Sequence, residues 1–224
     1  MNILVVAAHP DDEVIGVGGT IYNHSKKGDN VYVVILAEGK SSRYENYKPL
    51  PKDLENASNK ETEESSSILG IRAFHRLNLP DNRLDDFNQI DINKKVEYFV
   101  NKYNPEIIYT HNISDINKDH SIVYNAVVTA ARPIVGNSVK KVLSFETLSS
   151  TEWNFEKNNF TPNYFVDITD SLQYKIEAMK KYDSELNEFP HPRSLKTITY
   201  NAYVWGSKVG RECCEAFKLI RYIE

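Results

Sequence analysis

The sequence predicts an α/β protein in three layers, a mostly parallel sheet with helices on both faces. Three observations carry that expectation. Uniformly apolar runs recur as strands, helix-compatible segments separate them, and charged residues gather in the loops that leave the strands. The 224 residues suit one medium domain and are enough to cover both faces of a sheet.

The first run, Ile3-Leu4-Val5-Val6-Ala7-Ala8, does not alternate with polar residues, which is the pattern of a central strand buried on both sides. It delivers His9-Pro10-Asp11-Asp12-Glu13, an imidazole and three carboxylates, to the edge of the sheet. Gly16-Val17-Gly18-Gly19 then opens a helical pattern that ends at Gly28. Position 21 is not glycine and the charged loop intervenes, so close packing of the helix on the first strand explains these glycines better than a dinucleotide loop. Val31 to Leu36 forms a second strand, followed by a loop from Ala37 to Arg43. Residues 44 to 53 are expected to run irregularly over the surface, and 54 to 69 to form a helix stopped by Gly70.

Ala73 to Leu79 is the third strand, with His75 inside it, and Pro80 to Asp85 another loop at a strand's end. A helix from about Ile92 to Tyr103 stops before Pro105. Ile107 to Thr110, the fourth strand, runs into His111-Asn112-Ile113-Ser114-Asp115-Ile116-Asn117-Lys118-Asp119-His120. The helical spacing of Ile122, Val123, Ala126, Val127 and Ala130 puts His120 at a helix start. Val139 to Phe145 is the fifth strand, and Glu146 to Trp153 with residues 154 to 162 are loop. A short strand at 164 to 168 precedes a helix from Leu172 to Tyr182, a turn at 189 to 194 and a helix from Leu195 to Val209. Cys214 to Ile223 is compatible with strand or helix. Residues 1 to 145 therefore make a regular, Rossmann-like α/β core, and 146 to 224 complete the pocket wall of the same single domain.

A net charge of -4 argues against a general nucleic-acid binder, whose phosphate contacts need clustered cations. The adjacent Cys213 and Cys214 make an ordinary disulfide between them awkward, and Met1-Asn2 enters the first strand with no basic leader. A reducing, cytoplasmic setting is expected, with no transmembrane segment. A homo-oligomer is compatible with the pattern, in which core and interface positions look alike.

The chemistry concentrates in two loops. His9 and Asp12 lie three residues apart in a tight turn, a spacing that brings both side chains to one point, and a zinc site needs further such donors from elements of fixed position. His120 is the candidate third ligand, because first and fourth strands are neighbours at the switch point of many doubly wound sheets. Asp11, beside the ion, is placed to take a proton from a zinc-bound water and return it to a leaving amine. Asp119 either orients an imidazole or simply favours the helix N-terminus. A polar turn with Asp12 as a helix cap would explain the first loop alone, but not the second. Arg43, Arg83 and Arg193 suit phosphate or carboxylate recognition, while Glu146, Ser149, Ser150 and Thr151 suit sugar hydroxyls. Trp153 suits stacking on a sugar face, His24 a solvated helix face, and His111 a supporting position behind the ligands.

Ala8-His9-Pro10-Asp11-Asp12-Glu13 together with Asp115-Ile116-Asn117-Lys118-Asp119-His120 resembles the PIG-L/LmbE family of zinc-dependent N-deacetylases. Leu79 to Asp85, Ser149 to Trp153, His191 to Ser194 and Glu215 to Phe217 are similar to segments of its bacterial members. The resemblance implies hydrolysis of an N-acetyl group from an amino sugar, free or carried on a nucleotide, lipid or other conjugate. It implies His9, Asp12 and His120 as ligands of Zn2+ and Asp11 as the base. Some members carry a second histidine where this chain has Asn117, so the oxyanion donor is either Asn117 or an imidazole from elsewhere, such as His191. Two other readings compete: a sugar-nucleotide or glycan binding protein with a structural metal, and a magnesium-dependent phosphotransferase using Asp11 and Asp12. The imidazoles suit zinc better than magnesium.

Overall fold

The computed structural model describes residues 1–45, 48–156 and 160–224. The loops expected at 44 to 53 and 154 to 162 lie partly outside these described residues. Among the described residues, seven strands form one sheet: β1 Asn2–Ala7, β2 Asn30–Ala37, β3 Ala73–Leu79, β4 Ile107–His111, β5 Lys141–Phe145, β6 Tyr164–Asp167 and β7 Cys214–Tyr222. The α-helices among the described residues are α1 Asp12–Lys26, α2 Lys52–Leu69, α3 Gln89–Tyr103, α4 Lys118–Ala130, α5 Leu172–Met179 and α6 Leu195–Ser207. The strand order is β3-β2-β1-β4-β5-β7-β6. β1 to β5 are parallel, while β7 runs antiparallel to both β5 and β6.

The absence of alternation in β1 has the physical cause inferred from the sequence. Ile3, Val5 and Ala7 enter one apolar cluster with residues of α1, α2, α5 and α6, whereas Leu4, Val6 and Ala8 enter another with α3 and α4. Both faces of the central strand are covered, which makes three layers. β1 pairs with β2 on one side and β4 on the other, so the chain reverses direction across the sheet between them. Loops leaving the carboxyl ends of β1 and β4 must therefore meet in the crevice of that switch point.

Cys214 to Tyr222 resolves as strand, and its antiparallel pairing with β5 ties the end of the chain to the sheet. The glycines of α1 serve close packing, though not against β1. A Cβ on Gly16 would collide with the Phe145 ring of β5, and one on Gly19 would lie 2.8 Å from Ile168. Cys213 and Cys214 are free thiols, both buried. Among the described residues, no helix is long and apolar enough to cross a membrane.

Candidate metal centre and its surroundings

The turn after β1 is shaped by Asp11, whose φ of 93° places it in the left-handed region as it opens α1. Its carbonyl accepts the amides of Val14 and Ile15, so the backbone starts the helix while the side chain makes no cap. Asp12 turns back instead, and its Oδ2 accepts the His9 amide at 2.8 Å. The loop after β4 ends at Asn117, whose side-chain oxygen accepts the Asp119 amide and caps α4. This cap sets Asp119 and His120 on the first turn of α4, facing the turn after β1.

His9, Asp12 and His120 converge. His9 Nδ1 lies 3.2 Å from His120 Nε2, and Asp12 Oδ2 lies 3.3 Å from each of these nitrogens. One donor atom from each residue falls within 4.8 Å of the others, all three residues are buried, and Asp12 Oδ1 has no hydrogen-bond partner. Two imidazoles and a carboxylate with a buried oxygen to spare fit a divalent ion of the zinc type. Burial pulls the His120 ring down, but Asp12 and Asp115 outweigh it and push the value up to about 9. His9 is likewise raised, burial being overcome by Asp119 and Asp12, and Asp12 is held well below the ordinary range because His120 and His111 outweigh its burial.

Both imidazoles are steadied from behind. His120 Nδ1 meets Asp115 Oδ2 at 2.9 Å, and that carboxylate accepts the hydroxyls of Ser150 and Thr151 at 2.9 and 2.6 Å. His9 Nε2 meets Asp119 Oδ2 at 3.1 Å and Asp81 Oδ1 at 3.2 Å. The outer oxygens of that carboxylate pair are themselves engaged: Asp119 Oδ1 accepts the Leu84 amide, and Asp81 Oδ2 accepts the Ser42 hydroxyl. His111 stacks on His120 with ring centroids 3.8 Å apart, and its Nε2 accepts the Ala8 amide. Burial, reinforced by the charge on His120, lowers His111 to about 4, so it stays neutral.

Asp11 is buried and its two carboxylate oxygens have no hydrogen bond, although Arg193 Nη1 stands 3.2 Å from Oδ2 without the alignment of one. Burial pushes the Asp11 carboxyl well up, opposed by Arg193 and reinforced by Asp12. Beneath it, Glu13 accepts the Asp11 amide and the Tyr182 hydroxyl, and burial lifts its value to about 7. Glu13 is thereby a buried support for the loop.

The remaining sequence candidates divide. Arg193 and Ser149 come together, Arg193 Nε donating to Ser149 Oγ at 2.8 Å, and His191 Nδ1 accepts the Arg193 amide at 3.0 Å. Arg43 reaches the same surroundings through Glu185, which both Arg43 and Arg193 contact. Asn117 gives its Nδ2 to Asn82, and Arg83 pairs with Asp86 at the surface. Glu146 is not brought to the cluster: its carboxylate accepts Asn201 and Trp205 in a separate small pocket with Lys175 and Glu215. Trp153 packs edge-on to His191, and His24 is not solvated but held between Asp29 and the Tyr109 hydroxyl. Sequence reasoning assigned no role to Asp81, Asp115 or Glu185. The first two stand in the quoted motifs and carried a signal, whereas nothing around Glu185 in the sequence marks it.

Comparison with known proteins matches residues 4–131 to the family described as PIG-L: GlcNAc-PI de-N-acetylase. A diacetylchitobiose deacetylase of Thermococcus kodakarensis is 26% identical over 194 residues, covering 84% of this chain and 71% of that protein. Among solved structures, the N,N'-diacetylchitobiose deacetylase of Pyrococcus horikoshii superposes with a TM-score of 0.79 at 21% identity, over 98% of this chain and 84% of that one. The hydratase GalB of Pseudomonas putida superposes with a TM-score of 0.78 at 20% identity, over 100% of this chain and 98% of that one. The fold is thus shared by proteins of different chemistry, and the side chains of the crevice must decide between them.

Proposed function

The chain belongs to the PIG-L family, and on that premise we propose that it is a metal-dependent hydrolase removing the N-acetyl group from an amino sugar or sugar conjugate. The observation that carries the reading is Asp11: a buried carboxylate with neither oxygen hydrogen-bonded, adjoining the His9, Asp12 and His120 donor set. A zinc ion held by those three residues supplies a Lewis acid for the acetamide carbonyl and lowers the pKa of a water.

The chain's own groups account for the rest. Asp11 takes a proton from the attacking water and returns it to the nitrogen as the carbon–nitrogen bond breaks, leaving acetate and the free amine. Burial makes this carboxylate more basic, and the Arg193 guanidinium opposes that rise. Asp119 with Asp81, and Asp115, hold the far nitrogens of His9 and His120, which fixes the rings. For the oxyanion donor, the geometry favours His191 over Asn117. Asn117 spends its oxygen on the α4 cap and its amide on Asn82, whereas His191 Nδ1 accepts a backbone amide and so leaves its proton on Nε2.

The test combines metal analysis with acetate release across free, nucleotide-linked and lipid-linked N-acetyl sugars. Asp12→Ala and His120→Ala should lose zinc and activity together, and Asp11→Asn should keep zinc and lose activity. Full occupancy and turnover in the first two variants would sink the assignment, and zinc without acetate release from any sugar would favour a binding protein. The free, buried thiols of Cys213 and Cys214 support a reducing, cytoplasmic location.

A further inference from the structure

The charges around the centre bear on what the sugar is attached to, a question that rests on the N-deacetylase reading. Arginines placed to receive phosphate would present unpaired guanidinium groups to the crevice. Here they are already engaged. Arg43 Nη2 meets both oxygens of Glu185, at 2.6 and 2.7 Å. Arg193 Nη1 is shared between the same Glu185, at 3.4 Å, and Asp11, at 3.2 Å. Two guanidinium groups thus face two buried carboxylates. At the outer edge, Arg83 meets Asp86 at 3.3 Å and Lys118 meets Asp85 at 2.6 Å.

Next to the centre, and adjoining it through Asp81, opens a polar pocket of about 280 Å³. Ser41, Ser42 and Asn82 line it with hydroxyl and amide groups, and the Tyr44 ring forms part of its wall. Its charges are Glu45, Asp81, Asp85 and Asp86 against Arg83 among the described residues, and Lys118 offsets Asp85 from outside. A phosphate entering here meets a surplus of carboxylates and must break an ion pair for each cation it engages. A sugar hydroxyl or an ammonium group meets acceptors.

We propose that the group carrying the N-acetyl sugar is uncharged or cationic, such as a further sugar or amino-sugar unit, and that the carboxylate edge formed by Asp85 and Asp86 selects against phosphate- and nucleotide-linked substrates. Coulomb repulsion at this range acts through solvent, so it must respond to salt.

Acetate release from N,N'-diacetylchitobiose is compared with release from N-acetylglucosamine 1-phosphate at low and high ionic strength, for the wild-type holoenzyme and for Asp85→Asn/Asp86→Asn. At low salt kcat/KM should favour the disaccharide by about tenfold or more. Added salt and the double variant should each narrow that ratio. A phosphate probe turned over as well as the disaccharide, or a ratio that responds to neither salt nor the variant, overturns the proposal. If neither probe releases acetate, the wider sugar panel decides the deacetylase reading, and ligand-observed NMR with glucosamine 1-phosphate and the acetyl-free glucosamine disaccharide reads the charge preference without turnover. Tighter binding of the disaccharide at low salt then upholds the proposal; equal, inverted or absent binding overturns it.

Discussion

Helix α1 treats buried charge in two opposite ways. At its N-terminus, both oxygens of Asp11, the residue that opens it, and one of Asp12 are buried without a hydrogen bond. In its middle, a buried ion pair grips the backbone: Lys175 Nζ donates to the Ile15 carbonyl at 2.7 Å and to Glu215 at 2.6 Å, while Glu215 accepts the amides of Gly19 and Thr20. Gly18 makes room for this, since a Cβ there would lie 3.1 Å from the Lys175 side chain. Buried charge with its partners supplied holds a structure together, and buried charge without them is kept where a reaction or an ion uses it. On the proposed function, one helix has a catalytic end and a structural middle.

Substitution at each place should separate the two roles. Asp11→Asn is expected to lower kcat by about 10²–10⁴-fold, the usual contribution of a positioned base. Asparagine tolerates the left-handed φ of 93° and removes an acid that burial disfavours, so thermal stability should hold or rise. Lys175→Met should do the reverse. Stranding buried Glu215 without its cation costs about 3–5 kcal/mol, to be read from the denaturant midpoint, while the folded fraction keeps its turnover. A large loss of stability in the first variant, or of turnover in folded Lys175→Met, would break the contrast.

The catalytic end should also betray itself by its protons. In the ion-free chain His120 holds a proton up to about pH 9, against an ordinary value of 6.5. A metal must expel it, so below about 9 uptake releases protons and apparent affinity climbs by up to about tenfold per pH unit for each proton displaced. The sign follows from a raised folded value: protonation competes below it and ceases above it. Zinc titration by calorimetry in buffers of different ionisation enthalpy measures both quantities, and pH-independent affinity would show that the imidazoles are not ligands.

Much of this was legible in the sequence because it depends on order along the chain. Unbroken apolar runs marked the buried strands, and His9, Asp12 and His120 follow strands whose adjacency the doubly wound pattern implies. The supports were less legible. The residues that meet at Glu185, Arg43 and Arg193, come from distant segments that carry no shared pattern, and Lys175 with Glu215 meets α1 across 160 residues or more. Glu146 looked like a site residue because it follows a strand, yet its side chain turns to Asn201 and Trp205. Position after a strand fixes where a backbone emerges and leaves open which way a side chain turns.

Asn117 stands between the two kinds of region, at the N-cap of α4 and three residues from His120. Its oxygen caps the helix by accepting the Asp119 amide, and Asp119 in turn holds His9. If capping is its role, Asn117→Ala should lose about 1 kcal/mol, the usual worth of an N-cap, with a small change in kcat. Asn117→Asp separates the cap from the amide group, because aspartate caps equally well but offers no N–H donor. Recovery of both stability and turnover in Asn117→Asp would place the residue with the structural middle of α1. Recovery of stability alone would show that the amide serves the reaction, and would move the oxyanion contact from His191 back to the loop after β4.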